Sequence, residues 1–186
     1  MSEIIMSKVS SSYLEIILGS MFSGKTSRLV EIYKQCKFCN IPVEVINHSI
    51  DVRYDDELMS THDKIKIPCI KTNKIGYVLK KVENVDVILI NEGQFFEDLY
   101  ETVEKMLKNG KKIYICGLDG DFERKKFGQI LDLIPLCDKV TKLTSLCSIC
   151  KNGTLGIFSK RISLEKEQTV VGSDNYIPVC RNCYDK

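Results

Sequence analysis

The sequence predicts an α/β fold with a parallel sheet, followed by a short appendage that needs a staple of its own. Three observations predict it. Short apolar runs alternate with segments of helical periodicity, in the order strand, helix, strand, helix, strand. A glycine-rich loop lies where the first run gives way to the first helical segment. Near Ser145 the texture changes to paired cysteines and scattered glycines, with few long apolar runs. A chain of 186 residues can build one sizeable core. The α/β layer is therefore expected over residues 1–145, and the tail, 146–186, is too short to build a second core unaided.

Leu14, Glu15, Ile16, Ile17 and Leu18 read as a buried strand ending at Gly19. A helix is expected from Lys25 to Lys37, where Leu29, Ile32, Tyr33 and Cys36 recur at i, i+3, i+4 and i+7. Pro42 breaks the loop before the next strand, Val43 to Ile46. Val85 to Ile90 is nearly continuous apolar sequence, as suits a central parallel strand covered on both faces. Helical period returns from Phe96 to Lys108 through Leu99, Val103, Met106 and Leu107. Glu97 and Asp98 suit the positive end of that helix, and Gly110 suits its C-terminal cap. Ile113 to Cys116 is a further strand, and Lys139 to Leu146 another that leads into the cysteines.

Charge and composition exclude several classes. Lys and Arg number 27 against 25 Asp and Glu, without the basic excess of a nucleic-acid binder. At 44% hydrophobic and 28% charged, the composition is globular. No apolar run is long enough to span a bilayer, and the first residues have no apolar stretch of the kind a secretory signal needs. Neither a nucleic-acid nor a membrane partner is expected. Nine cysteines without such a signal point to a reducing compartment, the cytoplasm, and to metal in preference to disulfides.

Gly19-Ser20-Met21-Phe22-Ser23-Gly24-Lys25-Thr26 fits G-x-x-x-x-G-K-[ST] between a predicted strand and a predicted helix. Its glycines let successive backbone N–H groups face an anion, and the helix N-terminus adds partial positive charge. Lys25 would reach the β- and γ-phosphates, and the Thr26 hydroxyl would bind Mg²⁺. The motif implies a nucleoside triphosphate without naming a reaction; an accidental strand–helix turn is its competing reading. Ile88-Leu89-Ile90-Asn91-Glu92 sets polar groups at the carboxyl end of an apolar strand, where open α/β sheets bind ligands. Glu92 is placed to take a proton from an acceptor hydroxyl; the alternative is an exposed acid capping the next turn. Asn91 stands where many P-loop proteins hold magnesium with an Asp. It brings no charge, so the metal would lean on Thr26, the phosphates and another acid, for which Asp51 is the candidate.

Cys147-x2-Cys150 and Cys180-x2-Cys183 form two knuckles of the kind that pair around tetrahedral Zn²⁺. Four thiolates fill the shell, so such a site is structural, and zinc would supply folding energy that the tail lacks in core. A redox or disulfide pair is the other reading. Cys36-x-x-Cys39 has no second knuckle; with Cys69, Cys116 and Cys137 it reads as core or near-core thiols.

Together these residues resemble the type II thymidine kinases, P-loop deoxynucleoside kinases with a zinc-held lasso. The resemblance runs from about Leu14 to Tyr184. GSMFSGKT, Gly19 to Thr26, is close to the family's phosphate loop. Asp51-Val52-Arg53-Tyr54 with Ser60-Thr61-His62-Asp63 resembles its second block, and Glu92-Gly93-Gln94-Phe95-Phe96 its EGQFF run. Leu118-Asp119-Gly120-Asp121-Phe122 with Phe127-Gly128 is similar to LDGxF…FG. Ser159-Lys160-Arg161, Glu165-Lys166-Glu167, Val171-Gly172-Ser173 and Tyr176 follow the lasso.

The resemblance implies a RecA-like P-loop kinase domain over 1–145 and a zinc-ribbon lasso, the nucleoside-binding domain, over 146–186. It implies ATP-dependent phosphorylation of the deoxythymidine 5′-hydroxyl to dTMP in nucleotide salvage, by a homotetramer inhibited by dTTP. Glu92 takes the general-base position. Arg53 and Arg161 fall where arginines approach the phosphates, and Gln94 joins the phosphate and magnesium group. Met21, Phe95, Leu118, Phe122, Ser159 and Tyr176 would surround the nucleoside, although aromatic, Leu and Met side chains also fill cores. Main-chain groups of Val170, Val171, Gly172 and Ser173 would read the base.

Two departures stand out: Asn91 for the usual Asp, and Phe158 for a more usual Tyr. His62 reads as a surface loop residue, and His48 carries no evident chemistry. Two rival classes remain open, a nucleic-acid-stimulated NTPase with a zinc ribbon and a silent nucleotide sensor. Balanced charge and the lasso residues count against the first, and Asn91 alone supports the second.

Overall fold

A computed structural model describes residues 12–50, 58–60, 65–170 and 172–186. Strand β1 (Tyr13–Gly19) runs into the glycine-rich loop, and α1 (Lys25–Phe38) begins at that loop's lysine. There follow β2 (Val43–His48), β3 (Leu58–Ser60), β4 (Lys66–Pro68), β5 (Ile70–Thr72) and β6 (Val87–Asn91). Next come α2 (Leu99–Lys108), β7 (Lys112–Gly117) and β8 (Lys139–Leu143). The chain ends in β9 (Ser145–Leu146), β10 (Leu155–Gly156), β11 (Phe158–Arg161), β12 (Tyr176–Val179) and α3 (Arg181–Tyr184).

Six strands form one parallel sheet in the order β5-β2-β6-β7-β1-β8. The apolar run ending at Ile90 is a central strand, as its composition predicts. Chain direction reverses beside β1, since β1 lies between β7 and β8 while the chain continues through α1 to β2. The carboxyl ends of β1, β2, β6 and β7 therefore open on one edge, where such sheets take ligands.

Alternation along the strands builds two cores. Ile17, Val45, Leu89 and Tyr114 face α1, meeting Leu29, Ile32 and Cys36. Leu14, Ile16, Ile88, Ile90 and Ile113 face α2 and two 3-10 turns, Ile75–Val82 and Ile130–Leu136. Glu15 is 1% exposed within β1. It is held there by the Tyr13 hydroxyl at 3.2 Å, the Thr141 hydroxyl at 2.8 Å and the Lys139 ammonium at 3.0 Å. A third cluster gathers Cys147, Val179, Cys180 and Cys183 with Phe158, Ile177 and Tyr184.

Three differences from the sequence expectation have local causes. Helix α2 starts at Leu99 and not at Phe96, because Phe96 closes the 3-10 turn Gly93–Phe95 and packs into the core at 1% exposure. Asp98 then sits at the N-cap, its carboxylate accepting the Ile75 and Gly76 N–H groups at 3.1 and 2.8 Å. At the other end Gly110 fulfils its capping expectation, with φ 75 and its N–H on the Leu107 carbonyl. The run Lys139 to Leu146 splits: β8 follows β1 to the Gly19–Leu143 pairing, and β9 then pairs antiparallel with β10. The short hairpin of β3 and β4 and the edge strand β5 carry too few residues to show a period. No helix among the described residues is long and apolar enough to cross a membrane.

Candidate active site

The loop after β1 is shaped for close backbone approach. A Cβ on Gly19 would lie 2.4 Å from the Leu143 carbonyl oxygen and 2.6 Å from Ser23 Oγ. Gly24, the N-cap of α1, is left-handed at φ 85. Ser23 Oγ is buried without a hydrogen-bond partner, and Lys25, 9% exposed, donates to the Ser20 carbonyl at 2.7 Å. An orphaned hydroxyl, a buried ammonium and an uncapped helix N-terminus fit phosphate oxygens. The loop is also stitched to the cysteine end of the chain. Ser20 Oγ donates to the Gly156 carbonyl at 2.8 Å, and the Met21 N–H donates to Ser159 Oγ at 2.9 Å.

Across the cavity, Glu92 adopts φ 56 and ψ 44, a left-handed backbone that costs a non-glycine residue about 1–3 kcal/mol. Gln94 steadies its carboxylate: Nε2 donates to Glu92 Oε2 at 2.7 Å, while Oε1 accepts the Leu118 N–H at 3.0 Å. Gly128, at φ 59, lets the chain pass against Gln94, whose carbonyl oxygen a Cβ there would meet at 2.0 Å. His48 stacks edge-on against Phe96, ring centroids 4.7 Å apart, and accepts the Ile50 N–H at Nδ1. Burial holds its imidazole below the usual histidine range, with Glu92 opposing that shift. Burial likewise pushes the Cys116 thiol up to about 12, reinforced by Glu92.

Phe22, Ser23, Gly24, Lys25 and Thr26 line one cavity together with Glu92 and Gln94. The same cavity is lined by Met21, Phe95, Leu118, Phe122, Ser159, Val170, Gly172 and Tyr176. Asp51, Arg53, His62 and Val171 lie outside the described residues, as does the side chain of Ser173. Ser60, Asp121, Phe127, Gln168 and Thr169 also line the cavity. Asp121 and Phe127 fell inside quoted motif blocks, but Gln168 and Thr169 are polar residues in a loop with no local signal.

Two residues stand elsewhere than the resemblance implied. Asn91 is fully buried and away from the cavity lining. Its Nδ2 donates to Asn47 Oδ1 at 2.9 Å, while its Oδ1 accepts the Thr26 hydroxyl at 3.3 Å and the Cys116 thiol at 3.0 Å. Protein donors thus occupy the oxygen that was to face a metal-bound water. Arg161 does not line the cavity either. Its guanidinium lies 3.8 Å over the Phe122 ring and donates to the carbonyls of Glu165, Glu167 and Gln168 and to the Tyr176 hydroxyl. The planar fork matches those carbonyls, which draw it away from the phosphate loop.

The Sγ atoms of Cys147, Cys150, Cys180 and Cys183 all lie within 4.8 Å of one another. Cys150 Sγ is 3.7 Å from that of Cys180 and 3.4 Å from that of Cys183. Thiolates on a tetrahedral zinc stand about 3.8 Å apart, so the four fit such an ion and leave it no open position. Backbone N–H groups, first that of Cys150, hold the Cys147 thiol down to about 6.

A parallel sheet whose first strand feeds an anion-binding loop, with a carboxylate facing that loop across one cavity, defines a P-loop phosphotransferase. Comparison with known proteins narrows the class. The family model described as thymidine kinase matches residues 12–184. The thymidine kinase of Yaba monkey tumor virus is 44% identical over 177 residues, covering 95% of this chain and 96% of that one. That of sheeppox virus is 42% identical over 173 residues, covering 92% and 96%. The cytosolic thymidine kinase of Bos taurus is 40% identical over 174 residues, covering 93% and 72%. The chain belongs to the thymidine kinase family. Among solved structures, domain III of the Thermotoga maritima replication initiation protein DnaA matches at a TM-score of 0.46 and 19% identity, over 73% of this chain and 56% of that one. That likeness adds nothing to the fold read from the strands themselves.

Proposed function

We propose that the chain is an ATP-dependent thymidine kinase, transferring the γ-phosphoryl group of ATP to the 5′-hydroxyl of deoxythymidine to give dTMP and ADP. The observation that carries the reading is the single cavity shared by the phosphate loop, the Glu92 carboxylate and the Phe122–Tyr176 wall. Glu92 takes the 5′-hydroxyl proton as the oxygen bonds to the γ-phosphorus, and the bond to the β,γ-bridging oxygen breaks. Lys25 and the N-terminus of α1 gather the phosphate charge. Gln94 keeps the carboxylate aimed. Mg²⁺, when bound to the nucleotide, neutralises part of the developing charge, and the Thr26 hydroxyl is the described group placed to hold it.

Thymine presents acceptor, donor, acceptor along one edge, a pattern that the N–H and C=O groups of an extended backbone match near Val170 and Gly172. Cytosine reverses two of those groups, which costs roughly 10⁴-fold in selectivity, while loss of the 5-methyl group costs only about 1–3 kcal/mol. Deoxyuridine is then a weaker substrate and deoxycytidine a rejected one. A structural zinc in the four-cysteine cluster, a homotetrameric cytoplasmic enzyme and dTTP as inhibitor complete the reading; the cysteine spacing and the relatives' names support it.

The test is ATP-dependent conversion of labelled deoxythymidine to dTMP, with deoxycytidine as control and Glu92→Gln beside it. The variant should lose roughly 10²–10⁴-fold in kcat with folding intact. Tight nucleotide binding without turnover in the unaltered chain sinks the kinase reading and leaves a sensor. An unimpaired Glu92→Gln enzyme removes the base from Glu92.

A further inference from the structure

Residues 120–126 form a tight turn that carries Phe122 into the cavity. Gly120 bridges Lys126, and Asp121 Oδ1 accepts the Glu123 and Lys125 N–H groups, each at 2.9 Å. The fourth residue after Gly120 in this turn, Arg124, is left-handed at φ 66. Glycine or asparagine takes that conformation with little strain, and a long side chain does not. Backbone strain of this kind persists where the side chain has work to do.

The Arg124 side chain reaches the cysteine end of the chain. Its guanidinium lies 4.2 Å from the Tyr184 ring centroid and 5.6 Å from that of Phe158, and it pairs with Asp185 at 3.1 Å. The Tyr184 and Phe158 rings meet at 5.4 Å. Tyr184 follows Cys183 directly, and its hydroxyl donates to the Phe122 carbonyl. Phe122 is thus held at its carbonyl from the cysteine cluster and over its ring by Arg161. An exposed Arg–Asp pair alone contributes little to a fold. A guanidinium stacked on the ring that holds a cavity wall does more than pair.

We propose that Arg124 is a positioning residue for the nucleoside: it fixes the Tyr184 ring, whose hydroxyl sets the Phe122 wall, so the cysteine cluster fixes the width of the pocket. This rests on the thymidine kinase reading. Arg124 touches neither substrate and acts through Tyr184 and Phe122.

The test uses the full chain with Arg124→Gly, Arg124→Lys, Tyr184→Phe and the double variant Arg124→Gly/Tyr184→Phe. Arg124→Gly accepts the left-handed backbone but loses the stack. It should raise KM for deoxythymidine about tenfold, with KM for ATP unchanged and the melting temperature nearly so. Arg124→Lys, which keeps the charge but not the plane, should fall between. Tyr184→Phe should act like Arg124→Gly, and the double variant should be no worse than either single, because both interrupt one path. An unchanged KM for deoxythymidine overturns the proposal. So does additivity in the double variant, or an equal rise in both KM values. Calorimetric titration of deoxythymidine reads the same wall without turnover. Binding without phosphorylation would remove the kinase reading, while the series of Kd values still decides the role of Arg124.

Discussion

Asn91 and Asn47 face each other in the β2–β6 register, and both are fully buried. With its amide donating to Asn47 and its oxygen taken by Thr26 and Cys116, the Asn91 side chain is a dry positioning group that aims the Thr26 hydroxyl. An aspartate there would lose the Nδ2 donor and bring a charge into a site without water. Asn91→Asp should therefore destabilise the chain by roughly 1–3 kcal/mol without raising turnover at saturating magnesium. Thermal melting beside a magnesium titration checks this, and a gain in turnover at unchanged stability would show an impaired metal site instead. Asn91 was legible as a departure because it interrupts a known pattern. Asn47 was not, since the pairing of β2 with β6 is a property of strand order that no local stretch encodes.

The lasso is a segment with little regular structure, and it depends on a few side chains for its course. Arg161 donates to the carbonyls of Glu165, Glu167 and Gln168 at 3.0, 2.5 and 3.1 Å, and Gln168 Nε2 reaches across to Asp121 Oδ2 at 2.8 Å. A lysine offers a point charge in place of a planar fork. Arg161→Lys should raise KM for deoxythymidine at least several-fold with KM for ATP little changed. Steady-state kinetics in both substrates tests it; a fall in kcat with a rise only in KM for ATP would return Arg161 to the phosphates. At this scale the regular elements were readable from their periods, as in Leu29, Ile32 and Cys36 of α1. The lasso was readable only as motif blocks, because its order comes from carbonyls gathered by one distant guanidinium.

Across the whole molecule, buried acids that stay neutral set a limit on alkaline stability. Burial pushes Cys36 up to about 11, and Cys116 and Tyr114 up to about 12. In an unfolded chain a thiol titrates near 8.5 and a phenol near 10. A group whose folded value is raised stabilises fully below its unfolded value, and that contribution is lost as pH rises through the folded one. The melting temperature should therefore fall steadily between about pH 9 and pH 12. A flat profile there in circular dichroism melts would contradict the burial of these groups. The parallel sheet was legible at this scale because strands covered on both faces read as unbroken apolar sequence. Glu15, inside one such strand, was not legible as buried, because its partners Thr141 and Lys139 arrive from the far end of the layer.

The hydrogen bonds from Ser20 to Gly156 and from Ser159 to Met21 have a mechanical meaning. They fasten the jaw that would grip the phosphate to the jaw that would grip the sugar, as in a caliper whose screw has been locked. The gap between donor and acceptor is then gauged once, when the chain folds, and is not reset at every turnover. Substrates must slip into a fixed slot. A single residue inserted between Leu143 and Gly156 would shift one jaw against the other and leave both grips intact but misaligned.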